Sequence, residues 1–217
     1  ARAVEVLADF AAPFGLPELS VVAGPVNQYV EGESAPSLTE WAAGIRAVCD
    51  AAGVTAHVSA EPGRAIVAAA AVTLYRVGTI KDLPGIRTYV AVDGGMSDNP
   101  RPVLYGSGYE TLLPRAAAAG RPRSVRVVGK HCESGDLLVR EGWVPEDLSV
   151  GDVLATPVTG AYGHAMGSNY NHVLRPAVVF VADGDAREVI RRETFDDLVA
   201  REVPAPGGGD ESVESGS

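Results

Sequence analysis

Residues 125–144 read VRVVGKHCESGDLLVREGWV, and this stretch decides the architecture of the chain. Two β-branched, apolar runs flank a polar segment with Gly and Asp, which is the pattern of two strands joined by a turn. Similar β-rich runs, divided by Gly, Pro and Asp turns, occupy residues 71–81, 86–95, 152–162 and 177–193. So many closely spaced strands predict an antiparallel β-barrel or sandwich.

The first 64 residues instead alternate helix and strand patterns. An early helix is predicted by the spacing of four apolar residues, Val4, Leu7, Phe10 and Ala11. A capping-box pattern at Ser37–Glu40 begins a second apolar helical stripe. Short apolar runs at residues 19–22 and 56–60 are typical of buried parallel strands. Residues 1–64 are therefore predicted to be a piece of a larger parallel α/β structure.

Residues 65–203 form the predicted β domain, which ends in a short helix. The segment Ala182–Asp185 indicates a hairpin, because Gly184 adopts a positive φ at little cost. A second capping-box pattern, Thr194–Asp197, predicts the helix. Residues 204–217 are rich in Gly, Pro, Ser and acidic residues and cannot bury apolar surface, so they predict a disordered tail.

The composition argues against several classes of protein. The chain has 217 residues with 18 basic and 28 acidic side chains, and a formal charge of −10 disfavours nucleic-acid binding. No apolar stretch is long enough to cross a bilayer, so we expect no membrane partner. Two cysteines are too few for a disulfide framework or a zinc site, and the histidines lack metal-ligand spacing. We expect a reduced, cytoplasmic protein without a metal.

The first candidate binding segment is Glu61-Pro62-Gly63-Arg64, which directly follows a predicted buried strand. The carboxyl end of a parallel strand is where α/β proteins place ligands, and Gly beside Arg suits an anion. The alternative is an ordinary turn in which Arg64 pairs with Glu61.

The second candidate is His131–Asp136, where a predicted strand ends in Cys132, between a histidine and Glu133 and next to a glycine turn. A thiol among ionisable groups can act as a nucleophile or a proton donor. The alternative is a half-buried cysteine that behaves as a small apolar side chain. We assign that structural role outright to Cys49, which lies on the predicted helix that follows Ser37–Glu40.

Two further loops concentrate polar and aromatic groups between predicted strands. One is Gly160–Asn171, which contains Tyr162, and the other is Asp93–Tyr105, which contains Arg101. Loops of this kind line binding sites more often than they pack cores. The alternative for Gly160–Asn171 is a structural tyrosine corner or a plain turn, and the alternative for Asp93–Tyr105 is a solvated loop.

The order of these motifs resembles one protein family. Residues 19–203 resemble the C-terminal half of the diaminopimelate decarboxylases. The resemblance rests on five motifs in this order: EPGRAIV, VTLYRVGTIKD, VDGGMSDN, GKHCESGD and TGAYGHAMGSNYN. These enzymes belong to a branch of pyridoxal-phosphate decarboxylases that also contains ornithine and arginine decarboxylases. The resemblance implies that residues 1–64 are the last βα units of an incomplete (β/α)8 barrel followed by the β domain. It also implies a head-to-tail homodimer with active sites at the subunit interface.

The resemblance assigns roles to individual residues. Cys132 would be the proton donor, offered across the dimer interface to the partner's cofactor. Pyridoxal 5′-phosphate would be bound by Gly24, Glu61, Pro62, Gly63, Arg64 and Tyr162. The amino-acid substrate would be bound by Arg64, Arg101, Tyr105, Glu133 and Tyr162. The implied reaction is decarboxylation of meso-2,6-diaminopimelate to L-lysine, the last step of lysine biosynthesis.

Two features depart from the family pattern. The family's cofactor-binding lysine lies on an early barrel strand, whereas Lys81 and Lys130 lie beyond the barrel segment. The family's glycine-rich phosphate loop is replaced by Val22–Val26, in which Gly24 alone remains and Pro25 provides no N–H. We therefore expect the chain to be inactive by itself.

Two alternatives remain open at this stage. The chain could serve as a non-catalytic domain that dimerises or binds a partner, because an open barrel fragment exposes apolar faces. It could also act on another basic amino acid, such as ornithine or arginine, since Glu133 alone does not fix the substrate.

Overall fold

The computed structural model describes residues 2–21 and 27–203, so the predicted phosphate loop with Gly24 and the predicted disordered tail lie outside the described residues. The chain divides into two compact units, one that ends at Gly167 and one that begins at Ser168. No helix in the described ranges is long and apolar enough to cross a membrane.

The first unit begins with two helices packed on two short parallel strands. Their bounds are α1, Arg2–Ala11; β1, Glu18–Val21; α2, Leu38–Ala51; and β2, His57–Ala60. Strand β1 pairs with β2 in parallel, and the small core between strands and helices buries Val4, Leu19, Val21 and Cys49. The predicted parallel α/β arrangement is confirmed, as is the capping box, since the Glu40 amide donates to the Ser37 hydroxyl at 3.1 Å.

The rest of the first unit is a five-stranded sheet with three short helices. Its elements are α3, Gly63–Val67; β3, Val72–Leu83; β4, Arg87–Val92; α4, Arg101–Tyr105; β5, Arg123–Val128; β6, Leu137–Val144; β7, Val153–Pro157; and α5, Gly163–Met166. The spatial order is β6-β5-β4-β3-β7. Residues 63–70 are helical, so the β-rich part begins at Val72 rather than at residue 65.

The sheet is mixed, and the prediction of an antiparallel barrel or sandwich is wrong in this respect. Strand β4 pairs with β5 in parallel, from Thr88 opposite Val125 to Ala91 opposite Val128, whereas the other pairs are antiparallel. A parallel pair requires a long connection that returns the chain to the starting edge. The segment between Val92 and Arg123, which contains α4, provides that connection.

Strand β3 is long enough to pair with two neighbours in succession. Its first part, Val72–Arg76, pairs with β7, and its second part, Val77–Leu83, pairs with β4 across a register shift at Gly78. The buried face of the sheet carries a cluster that includes Tyr75, Val77, Val90, Val125, Val127, Leu138, Val139, Val144 and Leu154. This alternation of buried residues fixes the register, because a one-residue slip would turn the apolar set to solvent.

The second unit is the predicted hairpin and helix. Strands β8, Val178–Ala182, and β9, Asp185–Ile190, pair antiparallel, and the turn residues Asp183 and Gly184 have φ of 53° and 85°. Helix α6, Phe195–Val199, follows, and the Thr194 amide donates to the Asp197 carboxylate at 2.7 Å. Hydrogen bonds from Arg191 hold the pKa of Asp197 well below its usual value. The predicted hairpin at Ala182–Asp185 and the predicted capping box at Thr194–Asp197 are both confirmed.

Gly160 joins the loop after β7 to the segment that follows α3, and we expect its replacement to destabilise the fold. Its amide donates to the Ala68 carbonyl at 3.0 Å, and a Cβ at this position would lie 1.9 Å from the Val67 carbonyl oxygen. Gly160→Ala should lower the free energy of unfolding by about 1–3 kcal/mol, because two backbones must separate.

The matched control is Gly163→Ala, since a Cβ at Gly163 meets no atom within 4 Å. Alanine also favours the helix there, so this variant should unfold at or above the wild-type urea midpoint. Equal midpoints for the two variants would contradict the close approach at Gly160.

Candidate functional site

The segments singled out from the sequence meet at one edge of the mixed sheet. Strands β4 and β5 end together and β6 begins beside them, as the pairs Ala91–Val128 and Val128–Leu137 show. Strand β7 ends beside the start of β3, at the pair Val72–Pro157, further along β3 than the end of β4 at Val77–Val92. The loop after β7 nevertheless reaches the loop after β4, because Tyr162 lies against Arg101, and its Gly160 amide donates to the Ala68 carbonyl after α3. We call this edge, with its loops, the site edge.

Arg101 is the most unusual side chain at the site edge. It begins α4, is only 7% exposed, and its guanidinium carbon lies 5.4 Å, 5.4 Å and 5.5 Å from the ring centres of Tyr29, Tyr105 and Tyr162. Such distances are within cation–π range. The structure thus brings together three of the predicted substrate residues, Arg101, Tyr105 and Tyr162.

The polar partners of Arg101 are few. Its Nη2 donates to the Ser107 hydroxyl at 3.3 Å, but within residues 2–21 and 27–203 its buried Nε has no hydrogen-bond partner. Among the residues that the structure describes, no carboxylate forms an ion pair with it. A buried cation without a counter-ion is costly, so this geometry fits a site that receives an anionic group from a ligand.

Tyr29 is a site residue that the sequence analysis missed. It lies beyond β1, is buried, and packs edge-on against the buried ring of Tyr109, with centroids 5.3 Å apart at 76°. Burial raises the pKa of Tyr109. No motif surrounds Tyr29 in the sequence, and only the fold places it over Arg101.

Tyr162 reaches Arg101 through a strained backbone. Its φ is 68°, in the left-handed region that non-glycine residues rarely adopt, and its side chain remains 47% exposed. Such a conformation costs on the order of 1–3 kcal/mol and persists only where the surroundings enforce it. The close approach of Gly160 to Val67 and the hydrogen bond from Thr159 to the Ala71 carbonyl supply that constraint.

Cys132 lies in the turn between β5 and β6 rather than within a strand. The predicted strand ends at Val128, because the next residues hydrogen-bond to Asp136 and Gly94 instead of extending the ladder. The side chains of Cys132 and Glu133 are exposed, whereas those of His131 and Asp136 are buried. The thiol is therefore presented to solvent, as a proton donor to an external ligand would require.

The loop after β4 lies against this turn. The Lys130 amide donates to the Gly94 carbonyl at 3.0 Å, and the His131 imidazole is 2.9 Å from the Ser97 hydroxyl. Asp98 accepts from the Gly95 amide at 3.0 Å, and burial raises the pKa of its carboxyl group. Cys132 and Arg101 thus lie on neighbouring loops that are hydrogen-bonded to each other.

Glu61, Pro62, Gly63 and Arg64 lie between β2 and the body of α3. A Cβ on Gly63 would meet no atom within 4 Å, so its backbone is open to a ligand. Arg64 is half-buried, and within the described part of the chain it forms no ion pair with Glu61. Gly24, the remaining predicted cofactor residue, is outside the described residues.

Neither lysine is placed on a barrel strand. Lys81 lies near the end of β3, opposite Tyr89 of β4, and Lys130 lies in the turn that precedes Cys132. The residues present therefore fit contacts to the phosphate group and the ring of pyridoxal phosphate. They do not include the barrel lysine to which the family binds the cofactor covalently. Across residues 2–21 and 27–203, no three His, Cys, Asp or Glu side chains stand together as metal ligands.

Comparison with known proteins gives the class. Residues 21–160 match the family model of the pyridoxal-dependent decarboxylase C-terminal sheet domain, so the chain belongs to that family. The diaminopimelate decarboxylase of Actinosynnema pretiosum is 60% identical over 148 residues, covering 68% of this chain and 33% of that protein. The Mycobacterium tuberculosis H37Rv enzyme of the same name is 43% identical over 218 residues, covering 93% and 48%.

Solved structures that resemble this chain are also diaminopimelate decarboxylases. The diaminopimelate decarboxylase of M. jannaschii superposes with a TM-score of 0.81 at 28% identity, covering 93% of this chain and 46% of that chain. The Helicobacter pylori enzyme in complex with L-lysine gives 0.77 at 29%, covering 92% and 49%. The chain spans half or less of the length of these relatives.

The exposure of the two thiols makes a direct prediction. Cys132 is exposed and Cys49 is 3% exposed in the core beneath α2. One thiol per native chain should therefore react rapidly with Ellman's reagent, and the second should react at least tenfold more slowly, because it requires local opening.

Cys132→Ser should abolish the fast phase, and Cys49→Ser should leave it unchanged. A fast phase that survives in Cys132→Ser would show that the turn does not expose its sulfur.

Proposed function

We propose that this chain forms the C-terminal portion of a diaminopimelate decarboxylase, which converts meso-2,6-diaminopimelate to L-lysine and CO2. The observation that carries the proposal is the buried Arg101 guanidinium, which lies against three tyrosines beside the loop of the Cys132 turn. Its Nε has no hydrogen-bond partner among the residues that the structure describes. Relatives that are 43–60% identical bear that enzyme's name.

The charges at the site edge suit a substrate with two carboxylates and two ammonium groups. Arg101 provides a rigid guanidinium for a carboxylate, and Arg64 provides a second one near the end of β2. The exposed Glu133 carboxylate suits an ammonium group. Pyridoxal phosphate, when bound, takes up the electrons that remain when CO2 departs. Glu61–Arg64 and Tyr162 would hold it.

Cys132 supplies the proton that replaces the lost carboxylate. Its exposed Sγ–H bond breaks, the proton goes to the carbon that carried CO2, and solvent returns a proton to the thiolate. The neighbouring Glu133 binds the substrate, so donor and substrate contact come from one turn. In the homodimer that we propose, this turn and the Arg101 loop that is hydrogen-bonded to it serve the partner's active site together.

Several apolar side chains support such an assembly. In the second unit, the exposed residues of the hairpin and α6 include Val179, Phe180, Val181, Val189, Ile190 and Phe195. Exposed apolar surface of this kind marks association sites, and it also favours the alternative of a non-catalytic interaction domain.

We propose a cytoplasmic homodimer. Light scattering of the chain with and without a full-length relative separates self-association from partner binding.

The positions of the two lysines predict that the chain by itself does not bind pyridoxal phosphate covalently. Because Lys81 and Lys130 lie away from any barrel strand, equimolar pyridoxal phosphate followed by borohydride should label neither lysine stoichiometrically. Peptide mass spectrometry measures the occupancy. A single lysine labelled to near completion would contradict the need for a residue from outside this chain.

Substitution of Arg101 tests the identity of the proposed substrate. In a chimera that joins the N-terminal part of the M. tuberculosis relative to this chain, Arg101→Lys should raise KM for diaminopimelate about 10-fold to 100-fold, because an ammonium cannot pair with a carboxylate in bidentate fashion. The matched control is Arg87→Lys, whose guanidinium lies 5.9 Å from the Tyr89 ring outside the site edge.

Turnover of ornithine and arginine is measured in parallel with that of diaminopimelate. These amino acids lack the second carboxylate, so the wild-type chimera should prefer diaminopimelate. Faster turnover of either would favour the alternative substrate class, and an unchanged KM in Arg101→Lys would remove Arg101 from substrate binding.

A further inference from the structure

The buried carboxylate of Asp136 is not needed for any contact in the proposed reaction, yet it lies at the centre of the site edge. Its side chain is 4% exposed. Its Oδ1 accepts from the Met96 amide at 2.7 Å, and its Oδ2 accepts from the His131 amide at 2.8 Å. One carboxylate therefore ties the loop after β4 to the turn after β5.

The backbone of Asp136 strengthens this link. Its carbonyl accepts from the Gly129 amide at 3.0 Å, and its amide donates to the Glu133 carbonyl at 3.1 Å. The turn from Gly129 to Asp136 is thus closed on itself, with Cys132 and Glu133 at its exposed end.

Two glycines make room for the carboxylate. A Cβ on Gly129 would lie 2.1 Å from Asp136 Oδ2, and a Cβ on Gly95 would lie 2.8 Å from the same atom. Any side chain at either position would displace the carboxylate. Asp136 therefore explains the glycine of VVGK and, together with the His131 ring at 2.6 Å, the second glycine of VDGG, whereas a Cβ on Gly94 would meet Tyr75 and Asp98.

We propose that Asp136 is a positioning residue that fixes Cys132 and Glu133 relative to Arg101. It binds the amide of His131, the residue before Cys132, and the amide of Met96, in the loop that leads to Arg101. Both carboxylate oxygens are occupied by backbone N–H groups, so Asp136 acts through geometry and not by proton transfer. This inference rests on the proposed function, because it assigns a consequence for turnover to that geometry.

The first test uses the chain alone. Asp136→Asn has the same shape but offers one acceptor oxygen and an NH2 group, so one of the two amides loses its partner. Hydrogen exchange at the Met96 or His131 amide should rise at least tenfold, and the fast reaction of Cys132 with Ellman's reagent should accelerate at least threefold, because the turn is released.

The matched control is Asp152→Asn, in the turn that precedes β7. Asp152 also accepts a backbone amide, that of Ser149 at 2.9 Å, and it pairs with Arg115. The control should lose comparable or greater thermal stability without altering Met96, His131 or Cys132. Unchanged exchange and thiol reactivity in Asp136→Asn would overturn the proposal without any assay of turnover.

The second test separates positioning from a merely structural role. In the chimera, Asp136→Asn should lower kcat about 10-fold to 100-fold, because displacement of a reacting group by about 1 Å costs that much. KM should change by a smaller factor than kcat, since Arg101 is retained and the Glu133 contact alone is loosened, and Asp152→Asn should keep its kcat. A kcat within twofold of wild type in Asp136→Asn, with exchange and thiol reactivity altered, would reduce Asp136 to a structural residue.

The two tests also distinguish this inference from the function on which it rests. If the wild-type chimera turns over no diaminopimelate, the proposed reaction fails. The exchange and thiol measurements on the chain alone then still decide whether Asp136 holds the turn.

Discussion

The parallel pairing of β4 with β5 is the constraint on which the site edge depends. In a simple antiparallel meander, consecutive strands end at opposite edges, so the loop after β4 and the turn after β5 would lie at opposite ends of the sheet. The long connection through α4 reverses that outcome and returns the chain to start β5 beside β4 in the same direction. The Arg101 loop and the Cys132 turn consequently emerge next to each other, and the Lys130–Gly94 hydrogen bond joins them.

That proximity matters because the two loops carry different tasks. Arg101 is held in an aromatic, nearly solvent-free setting, where a guanidinium is strongly attracted to an incoming carboxylate. Cys132 and Glu133 are exposed, where a thiol can exchange protons with solvent between turnovers. In the function that we propose, one edge of one sheet therefore provides a buried guanidinium and a solvent-exposed proton donor, and a substrate with charged groups at both ends would contact both.

The sequence predicted the features that depend on local interactions. The capping boxes at Ser37 and Thr194, the hairpin turn at Gly184 and the parallel pair β1–β2 each follow from residues close together in the chain or from apolar runs. The direction in which β4 and β5 pair does not, because alternating apolar residues fit either direction equally well. Tyr29 was missed for a related reason: its contact with Arg101 spans 72 positions and leaves no periodic trace. The site residues themselves were named from the order of motifs, which carries information that no single motif contains.

The glycines near the site edge show how two distant motifs define one structure. Taken singly, Gly95 after β4 and Gly129 after β5 are ordinary turn residues. In the fold they face the same carboxylate from two sides, so each is required by Asp136, which lies seven residues beyond Gly129 and 41 beyond Gly95. A carboxylate that accepts amides from both loops fixes their separation more tightly than flexible side-chain contacts could, since backbone donors have little freedom to move. In our proposal, the relative positions of the Cys132 thiol and the Arg101 guanidinium therefore depend on three residues, none of which needs to touch a ligand.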